Sequence, residues 1–170
     1  MQQDNSRVPA STEINSNMVS ILATPTTRLE ITAAVVDYAR HRIPIHAIRT
    51  DVFVHEQQIP LDFEIDSLDW ESQHVLAFHG DQPVGTGRLA PTGKIGRVAV
   101  SRPLRRQGVG VCIMRHLLEL AAQNGHCEVF LSAQCHAAEF YEKLGFHAEG
   151  DTFLEVGIVH VTMRKQLVRI

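Results

Sequence analysis

Two kinds of apolar run constrain how this chain can fold. Short runs of strand length, several bounded by glycine or proline, recur from residue 74 onward; they cover residues 74–80, 84–89, 95–100, 128–131, 146–154 and 158–165. Two longer runs, 108–124 and 134–144, have apolar residues at helical spacing and are followed by Gly125 and Gly145. Strands joined partly by turns and partly by helices predict an α+β fold, with a mixed sheet and helices on its faces.

The N-terminal third has weaker signals. Residues 18–24 are predicted to form a first strand, and residues 29–53 a helix that is interrupted near Pro44. Residues 55–71 are predicted to be a loop. Residues 1–17 are polar and are expected to be a mobile tail, which leaves one domain at residues 18–170.

Composition excludes several classes of function. The formal net charge of −3 disfavours a general nucleic-acid binder, which is normally basic. No apolar stretch reaches the about 20 residues of a membrane span, and no secretory signal is visible. The three cysteines are odd in number and lack the spacing of a metal site. We therefore expect a cytoplasmic protein that uses no metal and has neither nucleic acid nor a membrane as its partner.

A basic stretch precedes the longer helical run. Arg102, Arg105 and Arg106 lead into Gly108-Val109-Gly110. The first amides of a helix have no internal partner, glycine allows close approach, and arginine binds phosphate, so the pattern favours a phosphate or pyrophosphate site. A basic surface loop explains the same residues about equally well. The stretch matches neither a Walker loop nor the dinucleotide fingerprint.

Residues 105–110, RRQGVG, resemble the Arg/Gln-x-x-Gly-x-Gly/Ala loop of the GNAT superfamily of acyl-CoA-dependent N-acetyltransferases. Three further segments resemble that family in order and spacing: residues 84–89 (VGTGRL), 95–100 (IGRVAV) and 140–146 (FYEKLGF). Residues 52–57, 133–134 and 157–160 also resemble its ElaA-like branch. The resemblance implies a mostly antiparallel mixed sheet with helices on both faces and a splay between the strands that flank the cofactor.

The resemblance implies acetyl-CoA as cosubstrate and assigns residues to it. The pyrophosphate would lie on the amides of residues 107–110, the pantetheine arm would lie along the strand at 95–100, and residues 133–137 would line the other side of the splay. Many members have asparagine where this chain has Gln134. The expected cofactor-binding residues are Val98, Val100, Arg105, Arg106, Gln107, Gly108, Val109, Gly110, Gln134 and Ala137.

Tyr141 is the expected general acid. The resemblance gives it the position of the tyrosine that protonates the departing thiolate, and a phenol with a pKa of about 10 can do so. Helical periodicity alone would instead place Tyr141 in the core, because it shares an apolar face with Ala137, Phe140 and Leu144.

The acceptor amine needs a base, because an amine with a pKa of about 10.4 is neutral only about once in 2,500 at pH 7. The strand at 95–100 has no acid where many relatives have a glutamate. Residues 55–71 contain six acids and neither lysine nor arginine; the acids are Glu56, Asp62, Glu64, Asp66, Asp69 and Glu71. We expect Glu56 to be the base, ahead of Asp66, then His74 and His160. A solvated acidic loop is the other interpretation.

The sequence thus predicts an enzyme that transfers an acetyl group from acetyl-CoA to a primary amine of a small molecule or peptide. Two alternatives stay open. One is an acylhomoserine-lactone-synthase-like protein, which shares the fold but uses S-adenosylmethionine and an acyl carrier. The other is a module that senses acyl-CoA without turnover. A homodimer is compatible with the sequence.

Overall fold

The computed structural model describes residues 30–168, so the predicted tail, the predicted strand at 18–24 and the start of the predicted domain lie outside the described residues. Within this range the chain forms seven strands: β1 (Ile31–Val36), β2 (Gln73–His79), β3 (Gln82–Leu89), β4 (Ile95–Val100), β5 (Glu128–Gln134), β6 (His147–Glu155) and β7 (Ile158–Gln166). The α-helices are α1 (Tyr38–Arg49), α2 (Leu61–Glu64), α3 (Val109–Gln123) and α4 (Ala138–Glu142).

The strands form two antiparallel sheets. One has the order β1-β2-β3-β4 and the other the order β5-β7-β6. The sheets meet at one parallel bridge between Lys94 and Phe130, where the Phe130 N–H donates to the Gly93 carbonyl at 3.3 Å. Beyond that bridge β4 and β5 do not pair within the described residues, which confirms the predicted mixed sheet with a splay.

The stretch predicted as one interrupted helix at 29–53 is a strand followed by a helix. Residues 31–36 pair with β2 as a strand, because pairing with a neighbouring strand overrides weak local helical spacing. The Asp37 carboxylate then accepts the Arg40 N–H at 2.9 Å and begins α1. Pro44 lies inside α1 without ending it, and the helix continues as a π-helical segment over Thr50–Glu56.

Helix α3 is confirmed close to its predicted bounds and forms the centre of the larger core. Its apolar face packs on β3 at Gly85 and Gly87, where an added Cβ would lie 2.8 Å from the Ile113 side chain. These glycines therefore allow the helix to approach the sheet closely. A second buried cluster lies between α1 and the opposite face of the sheet and includes Ile45, Leu76 and Ala99.

The run predicted as a helix at 134–144 is divided. Strand β5 extends to Gln134, a 3-10 turn covers Cys135–Ala137, and α4 is short. None of the helices in residues 30–168 combines the length and apolar character needed to span a bilayer.

Candidate active site

The edge of β4 that faces the splay carries unpaired main-chain groups. On the other edge, the Ser101 N–H donates to the Val84 carbonyl at 2.8 Å, and Thr86 lies opposite Ala99. Peptide groups alternate in direction along an antiparallel strand, so those of Val98 and Val100 point away from β3. They face the gap that β5 leaves open, where an extended ligand can pair as an added strand.

The N-terminus of α3 opens beside this edge. Gly108 is its N-cap, with φ of 88°, and a Cβ built there would have no atom within 4 Å. Val109 is buried, whereas Arg106 and Gln107 are exposed. The Gln107 side-chain amide donates to the Pro103 carbonyl at 2.9 Å. A Cβ on Gly110 would lie 3.3 Å from the Phe140 ring, so this turn lies against α4. Open amides beside arginine fit an anion.

Arg105 connects the loop to the proposed base. Its Nε donates to the Val100 carbonyl at 2.9 Å, at the end of β4. Its Nη2 lies 3.0 Å from Oε1 and 2.9 Å from Oε2 of Glu56. The structure therefore brings the predicted base and the predicted cofactor loop together, although they are far apart in sequence.

Gln57, which was not among the predicted site residues, makes the corresponding contact on the other side of the splay. The Gln134 side-chain amide donates to Gln57 Oε1 at 2.7 Å. Glu56 and Gln57 thus contact β5 at Gln134 and, through Arg105, the end of β4. Ala137 ends the 3-10 turn after β5 and is half-buried.

Tyr141 lies on α4 among aromatic neighbours. Its ring meets those of Phe140 and Phe146 edge to face, at centroid distances of 5.0 and 6.0 Å. Burial raises the pKa of Tyr141 to about 12. Its hydroxyl makes no hydrogen bond to any residue from 30 to 168. Tyr141 therefore packs against the core, as periodicity predicted. It also keeps its phenolic proton at neutral pH, and within the described residues that proton has no hydrogen-bond acceptor.

Four of the six acids in the acidic segment form ion pairs: Glu56 with Arg105, as above, and three more in one cluster with other arginines. Glu64 and Asp69 are buried, and Asp66 is half-buried. These carboxylates contact three arginines from α1, β3 and β4: Arg49 with Glu64 and Asp69, Arg88 with Asp66 and Asp69, and Arg97 with Glu64 and Asp66. The cluster contains three carboxylates and three guanidinium groups, so its charges balance. Its carboxylates are therefore not available to attract a cationic amine.

The electrostatics of Asp69 follow from its partners. Burial alone would raise the pKa of its carboxyl, but hydrogen bonds from Arg49 and Arg88 outweigh burial and hold that pKa below its usual range. Asp69 is thus a structural anion. Asp66, second among the predicted bases, is bonded to Arg88 at 2.7 Å.

The two histidines occupy different places. His74 is buried in the α1 cluster, stacks on Tyr38 and donates from Nε2 to the Asp69 carbonyl at 2.9 Å; burial lowers its pKa. His160 lies opposite Gln134 in the pairing of β5 with β7, and its ring stacks on Phe153. Of the two, His160 is therefore the one adjacent to a residue of the splay.

Family comparison agrees with this geometry. The Acetyltransferase (GNAT) domain matches residues 33–167. The chain belongs to the GNAT family. This GNAT chain is 40% identical to an uncharacterized N-acetyltransferase of Bacillus subtilis, YjcF, over 122 residues that cover 69% of this chain and 87% of YjcF. It is thus an acyl-CoA-dependent N-acyltransferase, as predicted.

The ElaA resemblance is also confirmed. Protein ElaA of Escherichia coli is 32% identical over 130 residues, 72% of this chain and 85% of ElaA. Its crystal structure aligns with a TM-score of 0.71, covering 81% of this GNAT chain and all of ElaA. An acyl-CoA N-acyltransferase from Pseudomonas aeruginosa aligns with a TM-score of 0.70 at 32% identity, covering 80% and 99% of the two chains.

Proposed function

We propose that this GNAT enzyme transfers an acetyl group from acetyl-CoA to a primary amine of a small molecule or peptide, by direct attack in a ternary complex. One observation carries the proposal: the unpaired edge of β4 and the open N-terminus of α3 adjoin the same splay. An extended amide chain that ends in a pyrophosphate needs that combination of sites.

The residues present fit acetyl-CoA. Val98 offers its main-chain N–H and carbonyl to the pantetheine arm, and Val100 offers its N–H, since the Val100 carbonyl already accepts from Arg105. The space above Gly108 leaves room for phosphate oxygens on the amides of residues 107–110. Arg105 and Arg106 supply positive charge, while Gln134 and Ala137 line the β5 side. When bound, acetyl-CoA supplies the acetyl group as an activated thioester.

Glu56 is the proposed base. Its side chain is 29% exposed, so its carboxylate can reach an amine that enters from solvent. It takes a proton from the acceptor ammonium, which makes the nitrogen nucleophilic. Arg105 Nη2 lies 2.9 Å from Glu56 Oε2 and so holds the carboxylate beside the end of β4. If Glu56 is not the base, Asp66 and His160 are the next residues to test.

Tyr141 is the proposed acid. It donates its phenolic proton to the departing sulfur, and its raised pKa keeps that proton in place at every physiological pH. The packing of the ring against Phe140 and Phe146 fixes its orientation. The three cysteines have no part in this mechanism, and they suit a reducing cytoplasm.

An amine panel tests the function. The protein is mixed with acetyl-CoA and amines of several classes, free and peptide-bound, and released thiol is measured together with the acetylated product. Product formation with at least one amine is expected. Thermal stabilisation by acetyl-CoA without thiol release across the panel would favour a sensor, and absence of both would overturn the cofactor assignment.

A further inference from the structure

Within the segment where β3 and β4 pair, β4 contains one residue more than β3. Gly96 pairs with Arg88 and Ala99 pairs with Thr86, so Arg97 and Val98 together lie opposite the single residue Gly87. This is a β-bulge, and Arg97 has a left-handed φ of 54°. A side chain disfavours that conformation, so the surrounding contacts must hold it.

The bulge changes the phase of the strand. Ile95, Val98 and Val100 all pack in the α3 core, whereas Ala99 packs in the α1 cluster. Without an extra residue, Ile95 and Val98 would face opposite sides of the sheet, since side chains alternate along a regular strand. The bulge at Arg97 therefore determines that the peptide groups of Val98 and Val100 point into the splay.

The Arg97 side chain is anchored outside the sheet. Its Nη2 donates to the Phe63 carbonyl at 2.9 Å and to Asp66 Oδ2 at 3.0 Å. Its Nε donates to the Glu64 carbonyl at 3.1 Å and lies 3.1 Å from Glu64 Oε2. One guanidinium thus ties the bulge to four oxygens of residues 63–66.

Those oxygens are held in turn. Arg49 of α1 bonds both the side chain and the carbonyl of Glu64, and Arg88 of β3 bonds both carboxylate oxygens of Asp66. The anchor of Arg97 is consequently fixed to α1 and to the neighbouring strand, and not to a free loop.

We infer that Arg97 is a positioning residue for acetyl-CoA: its anchored guanidinium holds the β4 bulge, and the bulge presents the peptide groups of Val98 and Val100 to the pantetheine arm. The inference rests on the proposed function. Arg97 acts through the backbone and touches no reacting atom.

The test uses Arg97→Gly, because glycine accepts the left-handed φ and removes only the anchor. We expect the dissociation constant for acetyl-CoA, measured by titration calorimetry, to rise by about tenfold or more, which corresponds to about 1.4 kcal/mol. The KM for the acceptor amine should change less than twofold. Hydrogen exchange should accelerate at Ala99 and Ser101, whose amides face β3, and stay unchanged in α3.

Two glutamine variants form the control pair. Arg97→Gln and Arg164→Gln each replace a guanidinium that bonds two carboxylates, but Arg164 joins Glu128 and Glu149 in the second sheet. Arg97→Gln should weaken acetyl-CoA binding and Arg164→Gln should not. If Arg97→Gly does not fold, this pair of variants tests the inference in its place. Equal affinity of wild type and the Arg97 variants, or equal losses at both sites, would overturn the inference. Failure of wild type to bind acetyl-CoA would overturn the proposed function instead.

Discussion

Removing the hydroxyl of Tyr141 tests the proposed acid most directly. Tyr141→Phe keeps the ring contacts with Phe140 and Phe146, so folding and acetyl-CoA binding should change little. The chemical step should slow by about 10²-fold, a common contribution of a general acid. With a pKa of about 12, only about one phenol in 100,000 is ionised at pH 7.

The raised pKa of Tyr141 also predicts how the rate of the chemical step depends on pH. The acid form is the active form, and a raised pKa means that it is lost only as the pH rises through about 12. Wild type should therefore show no fall in rate that depends on Tyr141 between pH 7 and pH 10. A tyrosine with an ordinary pKa of about 10 would lose half of its activity at the upper end of that range.

Single-turnover rates of wild type, Tyr141→Phe and Tyr38→Phe between pH 6.5 and 10.5 provide the measurement. Tyr38 is the matched control: it is the other tyrosine of the chain, its hydroxyl bonds His46, and it lies in the α1 cluster. Equal rates for wild type and Tyr141→Phe would leave Tyr141 a core residue only. A wild-type decline near pH 10 that is absent from Tyr141→Phe would refute the effect of burial on its pKa.

Three further changes test the base, the anion site and the packing of α3 on the sheet. Glu56→Gln should lower the rate most near neutral pH, and the rate should recover partly as rising pH supplies neutral amine. Asp62→Asn changes an exposed acid of the same segment and should leave the rate unchanged; a pH-independent defect in Glu56→Gln would mean that another residue is the base. Gly108→Glu should abolish the thermal stabilisation by acetyl-CoA, whereas Gly125→Glu should retain it, since Gly125 also has a left-handed φ but lies at the other end of α3. If acetyl-CoA stabilises both variants, the loop at Gly108 is not the pyrophosphate site. Gly87→Ala should lower the free energy of unfolding by about 1–3 kcal/mol in urea titrations, because its Cβ would lie 2.8 Å from Ile113 and Leu117, and an unchanged midpoint would contradict that packing.

Local patterns predicted the parts of the fold that local chemistry determines. Strands β2 and β3 around the turn at Gly80, and helix α3 up to Gly125, match their predicted positions because apolar period and glycine punctuation both mark them. The strand at 31–36 was predicted as helix because its pairing with residues 74–79 is invisible in a short window. The helix predicted at 134–144 is present only as α4, because Gln134 pairs with β7 and a 3-10 turn covers Cys135–Ala137 before the helix begins.

The residues of the candidate site likewise fall into those that a local motif marks and those that only the fold brings together. The glycine loop and Tyr141 stand out in the sequence through a motif, whereas the arginine partners of the acidic segment do not. Arg49, Arg88 and Arg97 lie 15 to 34 residues from the oxygens they bond, and each belongs to a different element. One signal was available: a segment with six acids and no basic residue needs cations from elsewhere if any of its carboxylates is buried.

The balanced cluster also bears on how the enzyme would select its acceptor. A field able to concentrate cationic amines needs net charge near the entrance, and the pairing of Glu64, Asp66 and Asp69 with three arginines cancels half of the charge that the acidic segment carries. Glu56 is itself paired with Arg105. These pairings reduce what the acidic segment can contribute to attraction over long distances, so under the proposed function discrimination among amines would rest mainly on contacts at short range. In the site proposed here, those contacts would be made at the opening of the splay, where Glu56 and Gln57 meet Arg105 and Gln134.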